Sequence, residues 1–233
     1  MLGALLKGIT DVVKAAARLL GALLGARSDA DGPGFTDNEV GDSAASCQLP
    51  EKLSEPLTEE QAQCLFDQQK ARKDIAWGYL QDGCYARAHL VSRDMQSKGL
   101  SPGKAWSFGS LAVDPPADHP YLTDEVRWWY HVAPTAEVAG ADGTAREMVF
   151  DPAMFDRPVT VQQWADKQGA SSTDLTEFGQ PPAGNEGSGY WPGSDPPGGP
   201  DAHARSTMRK YKIEHQKRQI MADIQKRKQG DAR

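Results

Sequence analysis

Three residues of this chain have the types and order needed for a nucleophile, a base and a supporting carboxylate: Cys84, His131 and Asp151. Cys84 stands in the string DGCYARAH, residues 82–89. Asp82 suits the N-cap of a helix, and Gly83 allows a close backbone approach. Cys84 then falls in the first turn, where the partial positive charge of the helix end favours thiolate over thiol. A thiolate is the form that attacks a carbonyl carbon. A cysteine without partners in such a place is more often a small buried hydrophobe. The functional reading therefore depends on what else reaches it.

His131 lies within WWYHVAP, an aromatic and apolar stretch in which a histidine must satisfy its ring nitrogens. Asp151 closes REMVFD and precedes Pro152. With a turn centred near Ala141 and Asp142, residues 131 and 151 fall nearly opposite each other across a hairpin. A carboxylate there fixes the tautomer of an imidazole and stabilises the imidazolium once a proton arrives. A purely structural His–Asp pair has the same signature. Among the aromatics, Trp106, Trp128, Trp129 and Tyr130 are candidates to line a cleft, with ordinary core packing the competing reading for Trp106 and Trp128. Strand alternation puts Trp129 on the His131 face and Trp128 on the other. The expected substrate contacts are Trp129, Trp106 and Tyr190. His89, five positions past Cys84, reads as structural. No cysteine and histidine set has zinc-ligand spacing, so neither a metal nor another cofactor is expected.

These residues need elements to hold them. Thr58 to about Lys73 reads as a helix, with Thr58 and Gln61 in capping-box spacing. Asp82 to Lys98 reads as a second, with Ala88, Val91 and Met95 as its buried stripe and Gly99 as its stop. Residues 106–113, 127–138 and 146–151 read as strands, and the GADG at 140–143 joins the last two as a hairpin. Helices followed by an antiparallel sheet predict an α+β domain.

The 233 residues carry a formal net charge of −6, unevenly spread. Residues 205–233 hold ten Lys/Arg against three Asp/Glu, a net +7, which leaves −13 for the remainder. That segregation suggests two units with different tasks. The organisation expected is an amphipathic helix at 1–25, a linker at 26–47, a catalytic domain at 48–195, a Pro/Gly linker at 196–204 and a basic helix at 205–233. In the first segment Leu2, Leu5, Leu6, Ile9, Val12 and Val13 recur at helical spacing. Lys7, Asp11, Lys14 and Arg18 interrupt what a secretory signal would keep apolar. Its expected partner is a membrane surface or a protein groove, such as that of a delivery or inhibitor protein, with packing on the chain's own core as the alternative. Within 179–204 no regular structure is expected, but Tyr190 and Trp191 should dock onto the folded body. The basic tail has few interleaved aromatics, which argues against nucleic acid as a partner. The three cysteines leave two readings open: Cys47 pairs with Cys64 in an oxidising compartment, or all three are thiols.

DGCYARAH, YHVA and FDPAMFDRPVTVQQW resemble the bacterial protein-glutaminase family. WSFGSL at 106–111 resembles that family's segment between its cysteine and histidine. The resemblance covers roughly residues 75–195. It implies a papain- or transglutaminase-like core, with the nucleophile Cys84 at a helix N-terminus and a sheet carrying His131 and Asp151. The implied reaction is hydrolysis of glutamine side-chain amides in a protein or peptide, through a Cys84 thioester. The backbone N–H of Cys84 is the implied oxyanion donor. A transglutaminase or cysteine protease would use the same trio, and a non-enzymatic binding module is the remaining alternative. The amphipathic start, the basic tail and the shortage of cysteines lie outside the resemblance. A deamidase-like core with such a leader would suit an effector or toxin secreted or delivered outside the producing cell, with a cytoplasmic location as the alternative.

Overall fold

A computed structural model describes residues 47–185 and 187–230, and the expected amphipathic helix at 1–25 and the linker after it lie outside those residues, except for Cys47. Helix α1 (Glu59–Lys70) begins at Thr58, whose hydroxyl accepts from the Gln61 N–H while the Gln61 side chain accepts from the Thr58 N–H. This is the capping box that the sequence predicts. Helix α2 (Cys84–Ser97) starts two residues later than expected. Its N-cap is Gly83, not Asp82, with φ 88°. Asp82 turns back instead, and its Oδ1 accepts from the Gly83 N–H at 2.6 Å. A side chain at 83 would be strained by that φ and would meet the ring of Tyr211 at 2.8 Å.

Five strands form one antiparallel sheet: β1 (Gly103–Val113), β2 (Val126–Ala139), β3 (Ala145–Val149), β4 (Val159–Thr160) and β5 (Ser172–Glu177), in the order β4-β3-β2-β1-β5. The β2–β3 hairpin forms as predicted, closed by the Gly140 N–H to the Thr144 carbonyl at 2.9 Å. Strand β5 has no counterpart in the sequence reading. STDLTE is polar, and an edge strand with one open side needs no apolar alternation; its Leu175 is half exposed. A short helix, α3 (Val161–Lys167), follows β4 and carries a second capping box, Thr160 with Gln163.

The sheet is covered on both faces. Val132, Ala136 and Val138 of β2 pack with Trp106 of β1 and with Ala88, Val91 and Met95 of α2. Ala133 of β2 packs on the opposite face with Ala105, Val149, Val159 and Trp164. Alternation along a strand delivers these two sets to two cores. The result is the α+β architecture expected.

The described residues between 178 and 199 run without helix or strand, and Tyr190 is buried among them. Its hydroxyl meets His203 Nδ1 at 3.0 Å, and its ring abuts Tyr85 edge-on. The docking of the aromatic pair is thus as expected. The basic helix α4 starts at Pro200 rather than 205 and reaches Gly230. Its first half is not a separate unit: Ala204, Met208 and Tyr211 are buried in the same core as α2.

Candidate active site

The nucleophile candidate is held from three sides. Arg87, on the first turns of α2 and buried, sends one guanidinium nitrogen to the Tyr79 and Asp82 carbonyls, each at 3.0 Å. Tyr211 of α4 donates its hydroxyl to Asp82 Oδ2. Met208 and Tyr211 fill the space beside Gly83. Cys84 is a free, buried thiol at the head of α2, and the first N–H groups of that helix have no intrahelical acceptor.

His131 Nε2 lies 2.8 Å from Asp151 Oδ2, and the two side chains are 3% and 5% exposed. The hairpin does not make them direct cross-strand neighbours. Thr135 pairs with Val149, and extending that register would set residue 151 opposite 133, not 131. The pairing ends before that point. The Asp151 backbone turns instead, its carbonyl accepting from the Met154 and Phe155 N–H groups at 3.0 Å. From there the carboxylate reaches diagonally to the ring.

Asp151 accepts three hydrogen bonds. Oδ2 takes one from His131 and one from the Trp164 Nε1–H at 3.0 Å, while Oδ1 takes the Ala153 N–H at 3.2 Å. Burial pushes the carboxyl pKa up, but the His131 charge and hydrogen bond, the Trp164 donor and the Arg87 charge together hold it below the ordinary value. His131 is the reverse case. Burial alone would lower its pKa, yet the Asp151 charge and hydrogen bond, with further help from Cys84, push it up to about 9. At neutral pH the ring is an imidazolium.

The ring is clamped between two indoles. Trp128 stacks at 5.2 Å between ring centres with 19° between planes, and Trp164 at 5.4 Å with 29°. Cation–π attraction in a dry site favours the charged ring. With Nε2 on Asp151, the buried Nδ1 is left without a hydrogen-bond partner. Cys84 also acts on this ring and raises its pKa. Nδ1 is therefore the nitrogen available to exchange a proton with the thiol.

The other sequence candidates fall elsewhere. Trp106 is fully buried, with its Nε1–H on Thr176 Oγ1 at 3.0 Å. Tyr190 is 1% exposed. Both are core residues, so the expectation that they contact substrate is corrected. Trp129 is 60% exposed and rests against Phe108 and Tyr130. The indole beside His131 is that of Trp128, contrary to simple alternation. Opposite this stretch β1 shifts register between Phe108 and Leu111, and such a bulge re-aims nearby side chains. His89 is structural as expected, bonded to Asp201 of α4 at 2.5 Å.

Two residues escaped the sequence reading: Trp164 and Arg87. Trp164 and Arg87 lie within strings that carry the resemblance, which was the available signal. Tyr130 is among the groups tied to Cys84: burial, then the charges of Cys84 and Asp82, push its phenol well above the ordinary range. A cavity of about 250 Å³ opens beside the ring, lined by Leu80, Arg87, Trp128, His131, Ala153 and Met154 among others. Among the described residues no group of three or more His, Cys, Asp or Glu could hold a metal.

A buried thiol at a helix head, next to an imidazolium steadied by a carboxylate, can attack a carbonyl carbon and protonate the group that leaves. Residues 61–168 match the family model described as glutaminase. The chain is similar to a pro-protein-glutaminase, 28% identical over 56% of this chain and 51% of that one, with a TM-score of 0.47. It is similar to a protein-glutaminase, 27% identical over 55% of this chain and 75% of that one, with a TM-score of 0.45. A third is protein-glutaminase from Chryseobacterium proteolyticum, 27% identical over 50% of this chain and 72% of that one, TM-score 0.43. The chain spans about half the length of the pro-protein-glutaminases it resembles. No curated protein matches it.

Proposed function

We propose that this protein hydrolyses the side-chain amide of glutamine in proteins or peptides, releasing ammonia and leaving glutamate. The observation that carries the reading is the buried His131–Asp151 pair, with Nδ1 unpartnered and Cys84 beside the ring. It stands inside a segment that matches the glutaminase family. Cys84 reacts as its thiolate, with the proton carried by His131. The Cys84 sulfur attacks the carboxamide carbon, and the oxyanion that forms is met by the N–H groups at the head of α2, that of Cys84 first. His131 gives its proton to the departing nitrogen, which leaves as ammonia. Neutral His131 then takes a proton from water, whose oxygen attacks the thioester; the carboxylic acid leaves and the thiol is restored. The cavity next to Trp128 and Met154 is suited to a single side chain. The disulfide between Cys47 and Cys64 favours work in an oxidising compartment, outside the producing cell. An effector or toxin role is the sense in which an enzyme altering other cells' proteins would be exported.

The test is ammonia release from casein or a glutamine-bearing peptide, beside Cys84→Ala. Mass spectrometry should find glutamine converted to glutamate, with neither crosslinks nor new chain ends. Crosslinks would point to amine transfer and new chain ends to proteolysis. Equal ammonia from Cys84→Ala would end the proposal.

A further inference from the structure

The second half of α4, from residue 213, is mostly exposed. Its apolar content is not scattered. Ile213, Ile220, Met221 and Ile224 are 53%, 59%, 57% and 41% exposed; the isoleucine spacing of seven and four places those three in one line along a helix, and Met221 stands beside it on the same face. That line faces away from the body. Ala204, Met208 and Tyr211, which are buried, fall on the opposite side of the same helix. Lys217 interrupts the line, and Arg209, Lys210, Arg227 and Lys228 flank it. The carboxylates Glu214 and Asp223 fall further round the sides, and Glu214 is held by Arg218 at 3.0 Å.

The width of the stripe bears on what covers it. A membrane-lying helix keeps a broad apolar face along its length, whereas this face holds four exposed large apolar residues between 213 and 224, is broken by Lys217 and has Glu214 and Asp223 at its margins, as a short coiled-coil seam does. The flanks bear on the partner. A second copy of α4 would bring Lys and Arg against Lys and Arg, which opposes self-pairing. An acidic helix would meet those cations with carboxylates.

We propose that the outer face of α4 docks one helix of a different protein, with apolar residues on its seam and Asp or Glu on its flanks. Such a partner binds without reaching the candidate active site, because α4 presents to α2 the face opposite the seam. Its attachment tethers the chain to another protein.

The full chain is titrated with a fluorescent synthetic helical peptide carrying Leu at seam positions and Glu on both flanks. The same scaffold with Lys on its flanks is the control. Binding of the Glu peptide is expected, weakened at least about tenfold by Ile220→Asp and also by Lys217→Glu, and weakened by raising salt from about 0.05 to about 0.5 M. Both substitutions lie on exposed positions, and circular dichroism checks that the helix persists. Equal binding of the two peptides, or none, overturns the proposal. So does flotation with vesicles of phosphatidylcholine and phosphatidylserine that Ile220→Asp abolishes, which would assign the face to a lipid surface. A dimer in analytical ultracentrifugation that Ile220→Asp dissociates would assign it to a second copy.

Discussion

Replacing Asp151 by Asn isolates the charge behind the imidazole from the geometry around it. One oxygen, Oδ2, accepts from both His131 Nε2 and Trp164 Nε1, and an amide oxygen in that place can accept both. What disappears is the negative charge, together with the acceptor for the Ala153 N–H, which then faces the amide nitrogen. His131 stands at about 9 rather than the ordinary 6.5, a preference for the imidazolium of about 3 kcal/mol. Without the carboxylate, burial becomes the ruling influence on the ring, and burial acts in the opposite direction. The ring is then neutral at pH 7.5 and the thiolate loses its counter-ion. A loss of about 3 kcal/mol from the reacting state is about two orders of magnitude in kcat/KM. The wild-type rate of ammonia release should fall on the alkaline side near pH 9, as the imidazolium deprotonates. In Asp151→Asn that limb should move down to the ordinary 6.5 or lower, because burial then acts on the ring without the carboxylate. Ammonia release from a glutamine peptide between pH 5 and pH 10, about the range the protein's titrating groups span, gives both numbers, with thermal melts to show that the variant folds. An alkaline limb still near 9 and a kcat/KM within about threefold of wild type would refute this account of the charge.

Trp164→Phe keeps the ring against His131 but removes a donor to Asp151, so kcat/KM should fall about tenfold, mostly in kcat, in steady-state assays. Lys104 is fully buried, donates to the Gly189 carbonyl, and burial lowers its pKa to about 7 from 10.5. Its unfolded form binds a proton that the folded form lacks between those values. Its contribution to stability therefore falls as pH drops from 10.5 towards 7. Against Lys104→Met, wild-type protein should lose about 2–3 kcal/mol in urea unfolding between pH 9.5 and 7.5, and equal slopes would count against a buried neutral amine. Cys47→Ser opens a bridge between residues 17 apart. It should cost about 3 kcal/mol and several degrees of melting temperature by calorimetry, as a reductant should in the wild type.

The elements that carry the site were legible because their signals are local. A capping box announces α1, Asp82 and Gly83 announce the start of α2 to within two residues, and GADG announces the hairpin. The three polar residues of the site stand in strings that also carry the family resemblance. What the sequence hid depends on long-range placement. Alternation assigns Trp129 to the His131 face, but a register shift in the neighbouring strand brings Trp128 to the ring instead. Nothing local says that Trp106 and Tyr190 are sealed in the core, or that Trp164 bonds to a carboxylate thirteen residues before it. Strand β5 gave no signal because an edge strand that is exposed on one side can be polar.

The charge contrast along the chain suggested a tail with its own task, and the structure divides that tail in two. The first half of α4 belongs to the site's frame. Tyr211 bonds to Asp82, and its ring and Met208 occupy the room that only a glycine at 83 leaves open. His203 takes the Tyr190 hydroxyl, and Asp201 takes His89 from the middle of α2. Shortening the chain before residue 200 would therefore expose both ends of the support on which Cys84 rests. The second half touches the body through Arg218, on Gln81 and over the rings of Tyr79 and Tyr121, while its isoleucines are exposed and free to be selected for what lies outside the molecule. A single helix thus ties the placement of a buried thiol to a surface between four and five turns further along, since from Met208 to Ile224 the rise is about 24 Å.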